Sequence, residues 1–143
     1  MLDKKRILVK IDELDGYLDE LAQIAPAKLK FKEYQEIEKK RSCERLLQLS
    51  IEAVIDICKL FVSGMRLGLP AEENDLFDKM QKKKLLSKEM AMTLKEMKGF
   101  RNILVHEYAA VNDELVFKAI KTKLKDFREF KKEILGILAK HLR

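Results

Sequence analysis

Arg45-Leu46-Leu47-Gln48-Leu49-Ser50-Ile51-Glu52-Ala53-Val54-Ile55-Asp56-Ile57-Cys58-Lys59-Leu60-Phe61-Val62-Ser63 is the stretch that decides the fold. Its apolar residues Leu46, Leu47, Leu49, Ile51, Ala53, Val54, Ile55, Ile57, Leu60, Phe61 and Val62 nearly surround a helical axis. That is the pattern of a helix packed on several sides rather than along one stripe. It is therefore the central helix of a bundle, within a helical span from Phe31 to about Arg66 that meets neither Gly nor Pro before Gly64. A single polar stripe remains on it, Arg45, Gln48, Glu52, Asp56, Lys59 and Ser63, at spacings of three and four. Either the stripe is the solvent-facing edge of a mostly buried helix, or it lines a cleft or subunit interface where Glu52 or Asp56 holds an arginine.

Working outward, Ile7, Ile11, Leu14, Leu18, Leu21 and Ala25 form one stripe of a first helix that Pro26 ends. Gly64 to Pro70 has loop character, and Pro70 is placed for the first turn of a short helix running through Phe77 to about Gln81. Lys82-Lys83-Lys84 follows as a basic turn, either solvated or in contact with a nucleic-acid backbone. Ser87 is an N-cap for helix four, which carries Met90, Leu94, Met97, Arg101, Leu104 and Tyr108. Asn112 and Asp113 cap helix five, whose stripe of Val116, Ile120, Leu124, Phe127, Ile134 and Leu138 reaches the end of the chain. Short linkers predict an all-α, antiparallel up-and-down bundle of four long helices plus one short helix, forming a single domain over residues 1–143.

Composition agrees with this reading and narrows the function. With 143 residues the chain can bury a core without disulfide or metal. Cys43 and Cys58 lack a metal-ligand partner pattern and read as reduced, structural thiols. No leader-like apolar block follows Met1, and no apolar run approaches the ~20 residues needed to span a bilayer, so no membrane contact and a cytoplasmic location are expected. The net charge is +6, unevenly placed: 13 basic and 12 acidic residues over 1–70, but 17 and 12 over 71–143. Such a surplus serves solubility or draws in a polyanion. No glycine-rich loop follows a strand, and neither His nor Cys has zinc spacing, so neither cofactor nor metal is expected.

The basic half also holds Arg101-Asn102-Ile103-Leu104-Val105-His106-Glu107-Tyr108, the one cluster with chemistry in it. A histidine moves protons near neutral pH, and an arginine offers a planar, permanent cation to phosphate. On one regular helix Arg101, Val105 and Tyr108 share a face, Asn102 and His106 share another, and Arg101 and His106 diverge by about 140°. The cluster is a hydrogen-bonded helix end or a reactive site.

Arg, four residues, His, one residue, Tyr resembles the signature of HEPN domains, specifically the HepT-like toxins. Gln48 to Ile57 is similar to that family's central helix, and Gly68-Leu69-Pro70 and Gly99-Phe100-Arg101-Asn102 match as well, so the resemblance covers about residues 5 to 135. It implies a metal-independent ribonuclease toxin of a two-gene module whose antitoxin is an MNT-type nucleotidyltransferase. Carried over, His106 is the acid/base group, Arg101 the phosphate ligand, Asn102 a polar supporter and Tyr108 the acceptor of silencing AMP groups. Glu52 and Asp56 are further supporters.

RNA carries its own nucleophile, the 2′-hydroxyl, so a proton-transfer group and a cation suffice in kind. The divergent faces are reconciled if two copies pack helix four against helix four about a two-fold axis, as HEPN domains dimerise, which makes a homodimer part of the site. The alternative is a non-catalytic helical subunit that docks substrate for a small nucleotidyltransferase.

Overall fold

The computed structural model describes residues 1–106 and 111–141, and among them the chain is all-α. Its helices are α1 (Lys4–Ile24), α2 (Phe31–Tyr34), α3 (Ile37–Gly64), α4 (Glu73–Lys82), α5 (Lys88–Val105), α6 (Asp113–Thr122) and α7 (Leu124–Lys140). The four long ones, α1, α3, α5 and α7, make the bundle. No helix among the described residues is long and apolar enough to cross a membrane.

The all-round apolar pattern of α3 places it at the centre. Leu46, Leu47, Ile51, Ala53, Val54, Ile55, Ile57, Phe61 and Val62 are buried, against α1 on one side and α4 and α5 on the other. Ser50 is buried among them because its hydroxyl is satisfied within the helix, donating to the Leu46 carbonyl at 2.7 Å. Phe61, Phe77 and Phe130 are fully enclosed; removing such a side chain from water is worth about 1.5–3 kcal/mol. Cys43 and Cys58 are free and buried, and burial pushes both thiols up, Cys43 to about 11.

The span expected as one helix from Phe31 to Arg66 is broken between Tyr34 and Ile37. The break needs no Gly or Pro. Glu36 adopts extended backbone and its carboxylate accepts from the Glu38 N–H, so α3 starts there. Tyr34 is thereby turned inward onto Phe117 of α6 at 5.4 Å between ring centroids, with Phe31 at 5.5 Å from the same ring.

Helix five also divides, at Lys123 (φ −111°, ψ −6°). Its first part, α6, covers the aromatic cluster, while α7 turns along α1 with Lys131 paired to Asp15 at 2.7 Å. The short helix starts at Glu73, three residues beyond Pro70, because the Asp75 carboxylate accepts from the Ala71 and Glu72 N–H groups and caps the chain at that point.

Gly64 is required by close approach: a Cβ there would stand 3.0 Å from the Leu2 Cα. This contact seats the amino terminus of α1 on the end of α3.

Candidate active site

Helix α5 begins as its sequence requires, with the Ser87 hydroxyl accepting from the Met90 N–H at 3.1 Å. Its far end differs from expectation. The helix stops at Val105, and His106 is the C-cap in extended backbone (φ −78°, ψ 114°), its N–H donating to the Asn102 carbonyl at 3.1 Å. The side-chain direction of His106 is set by its N–H and φ, both still helix-like. The divergence of about 140° from Arg101 therefore stands, and only the chain beyond His106 turns away. Its side chain stands at the exposed end.

Arg101, one turn earlier, is held from three elements, and its side chain is 14% exposed. Its Nε donates to the Asn102 Oδ1 at 3.0 Å. One terminal nitrogen donates to Glu73 on α4, and the other lies 3.8 Å from a carboxylate oxygen of Glu52 on α3. Glu52 is in turn held by the Gln48 amide at 3.2 Å. Charge-assisted contacts of this kind fix a guanidinium plane, and a planar fork is what gives arginine its specificity for phosphate. Two of its five N–H groups are used in these hydrogen bonds, and two of the other three sit on the nitrogen that faces Glu52.

The structure thus brings together Arg101, Asn102 and Glu52 of the residues singled out in the sequence. Asp56 is not part of the group. One turn along α3 from Glu52, it faces Lys10 of α1 at 3.6 Å. His106 closes the helix that carries Arg101, and Tyr108 lies outside the described residues.

Sequence reasoning missed Glu73 and Gln48. An acid in the first turn of a helix is ordinarily read as complementing the helix dipole, which hides any partner further away. Gln48 had been placed on the polar stripe without a role. The reading of that stripe as a plain solvent edge does not describe its middle, where Glu52 faces Arg101 and Gln48 holds Glu52.

On the face of α5 turned about 160–180° away from Arg101, Met92 and Ile103 stand at 56% and 47% exposure. Gly99 lies between them on the same face, where an added Cβ would meet nothing. The face adjoins an apolar groove of about 300 Å3, walled by Met97, Phe100, Leu115 and Phe127.

With this geometry in view, residues 8–134 match the family described as HepT-like ribonucleases. An mRNA nuclease HepT of Shewanella oneidensis is 34% identical over 84 residues, which span 59% of this chain and 63% of that protein. A tRNA nuclease HepT of Aphanizomenon flos-aquae is 30% identical over 133 residues, spanning 92% of this chain and 89% of that protein. Among solved structures, the tri-AMPylated Shewanella oneidensis HEPN toxin in complex with MNT antitoxin superposes with a TM-score of 0.83 at 29% identity, covering 91% of this chain and 96% of that one.

Proposed function

Because this chain belongs to the HepT-like ribonuclease family, we propose that it is a metal-independent endoribonuclease, the toxin of a module whose antitoxin is an MNT-type nucleotidyltransferase. The observation that carries the reading is the clamped guanidinium of Arg101 beneath the helix end where His106 stands. In cleavage, the 2′-hydroxyl of RNA loses its proton to an imidazole, and its oxygen bonds to the adjacent phosphorus. The bond to the 5′-oxygen then breaks, and that oxygen takes up a proton. Arg101 meets the charge that gathers on the phosphate oxygens. Asn102 and Glu52 orient Arg101, as does Glu73. The related nucleases are named for different RNAs, mRNA and tRNA, so family membership assigns no particular RNA to this chain.

Cleavage as written uses one base and one acid, and each chain supplies one His106. A homodimer joined through α5 provides both. Its support is the exposed face of α5 that carries Met92, Gly99 and Ile103, with Glu96 as the charged residue in the same row. Tyr108 is assigned as the acceptor of AMP, supported by the AMPylated state of the similar toxin. The protein is assigned to the cytoplasm, where both RNA and ATP are at hand.

The test is incubation with total RNA in EDTA. The chain should cut RNA, and Arg101→Ala and His106→Ala should not. A second reading rests on the same clamp: Arg101, matched by carboxylates from α3 and α4, is also what a structural tie between three helices requires. A non-catalytic helical partner of the transferase would then leave RNA intact and change the partner's rate of AMP transfer. Intact mass after incubation with partner and ATP tests Tyr108. Increments of AMP that disappear in Tyr108→Phe support the assignment, and increments that persist remove it.

A further inference from the structure

At the end of α5 remote from Arg101, the turn from α4 into α5 lies against α7 and leaves an open groove of about 550 Å3. Lys84, Lys88, Lys132 and Lys140 line it, all exposed. Among the described residues none of the four makes an ion pair, whereas Lys10, Lys40, Lys95 and Lys131 each meet a carboxylate elsewhere on the molecule. The one acid lining the groove, Glu133, keeps its charge against the four lysines and is directed toward Ser87. Its carboxylate oxygens accept from the Ser87 N–H at 2.9 Å and the Ser87 hydroxyl at 3.1 Å. Lys4 adds to the same end of the bundle, donating to the His141 carbonyl at the close of α7.

We infer that this groove is a second, non-catalytic contact for RNA, one that grips phosphates of the substrate away from the bond that is cut. The inference rests on the reading of this chain as a ribonuclease. Four ammonium groups on flexible stems, against one carboxylate, form a point-charge surface that takes phosphate without reading bases. Lys88 and Arg101 are thirteen residues apart on α5, about 20 Å along the axis. That is roughly six stacked nucleotides at ~3.4 Å per phosphate. A dinucleotide reaches only the Arg101 end, and a long RNA reaches both.

Two substitutions remove positive potential without weakening the fold. Lys84 sits in the left-handed region (φ +59°) at the end of α4, where glycine is unstrained, so Lys84→Gly takes away a charge while relaxing the backbone. Gly136, in the middle of α7, has open space where a Cβ would stand, so Gly136→Glu puts an acid into the groove in a better helix former.

The experiment measures binding of a long single-stranded RNA across a salt series with His106→Ala as background, and cleavage of a dinucleotide with His106 intact. Both variants should bind the long RNA several-fold more weakly, and Lys84→Gly should flatten the slope of log K against log salt by about 0.7. Neither should lose melting temperature or dinucleotide cleavage. Unchanged affinity and slope for the long RNA overturn the groove. So does unchanged RNA binding with loss of the complex with the partner transferase, which would make it a protein surface. If wild type cuts RNA and the variants bind it equally well, the groove alone fails. If long RNA is held through the groove and never cut, the groove stands and the ribonuclease reading falls.

Discussion

The two ends of α5 carry the same sign of charge in opposite surroundings. At the carboxyl end Arg101 is largely enclosed, with Asn102, Glu73 and Glu52 fixing its plane. At the amino end Lys84, Lys88, Lys132 and Lys140 face solvent with no carboxylate paired to them among the described residues. A cation that must recognise one developing charge gains from being held, since the ordering has been done before the reaction. Cations that hold a flexible backbone gain from remaining mobile, because any of several phosphates will satisfy them. The difference teaches that the +6 surplus is not where the chemistry is proposed. The carboxylates around Arg101 offset its charge locally, and the proposed groove leaves long-range attraction for a polyanion to the other end.

The largest effect should come from His106→Ala. Removing a positioned proton-transfer group costs ~10²- to 10⁴-fold in rate, and His106 is exposed, so the variant should keep the helical fold by far-UV circular dichroism. The comparison breaks if a lysine-end variant slows dinucleotide cleavage as severely as this one does.

Next comes a paired exchange. Arg101→Lys keeps the charge and loses the planar fork, and should cost about 10²-fold or more in cleavage, the order expected for one lost charge-stabilising donor. Lys132→Arg keeps both charge and mobility and should leave long-RNA binding within about twofold, because phosphate accepts either cation there. Equal tolerance at both ends, read from initial rates and binding isotherms, would show that the clamp does not fix anything the reaction needs.

Ile103→Glu places a charge on the exposed face of α5. If a second copy covers that face, light scattering should report a monomer, and cleavage should fall steeply at protein concentrations where wild type is dimeric. Glu73→Gln should act more mildly. It keeps a hydrogen-bond acceptor for Arg101 and removes the charge, and a small displacement of the guanidinium costs up to ~10²-fold. Its signature is a fall in kcat with RNA binding retained, since the lysine end is untouched.

Much of this architecture is legible in the sequence, and the exceptions have a common physical cause. The all-round apolar pattern of α3, the Pro26 stop and the Ser87 and Asn112 caps are local signals, and the structure follows them. The break at Glu36 joins a local cap to a tertiary contact that the sequence hides: Tyr34 turns inward to meet Phe117, more than 80 residues away in the chain. Arg101 and Asn102 could be picked out because polar side chains stand out in an apolar run. Glu73 could not, because its partner lies on another helix 28 residues away. The end of α5 at Val105 was equally hidden, since no Gly or Pro marks it.

The smallest effect, and the sharpest test of which acids belong to the clamp, is Asp56→Asn against Glu52→Gln. The two acids are one turn apart on the same polar stripe of α3, and by spacing alone they are equivalent. Their partners are not. Glu52 lies 3.8 Å from Arg101 and is braced by Gln48, while Asp56 lies 3.6 Å from Lys10, with 43% of its side chain exposed. An ion pair that open to solvent contributes only ~0.2–1 kcal/mol. Asp56→Asn should therefore lower the melting temperature by no more than a few degrees and leave both cleavage and RNA binding unchanged, while Glu52→Gln should slow cleavage because Arg101 loses one of its two carboxylates. Equal losses from the two variants would mean that the stripe acts as a unit, and that Arg101 is positioned by the field of α3 rather than by the side chains that touch it.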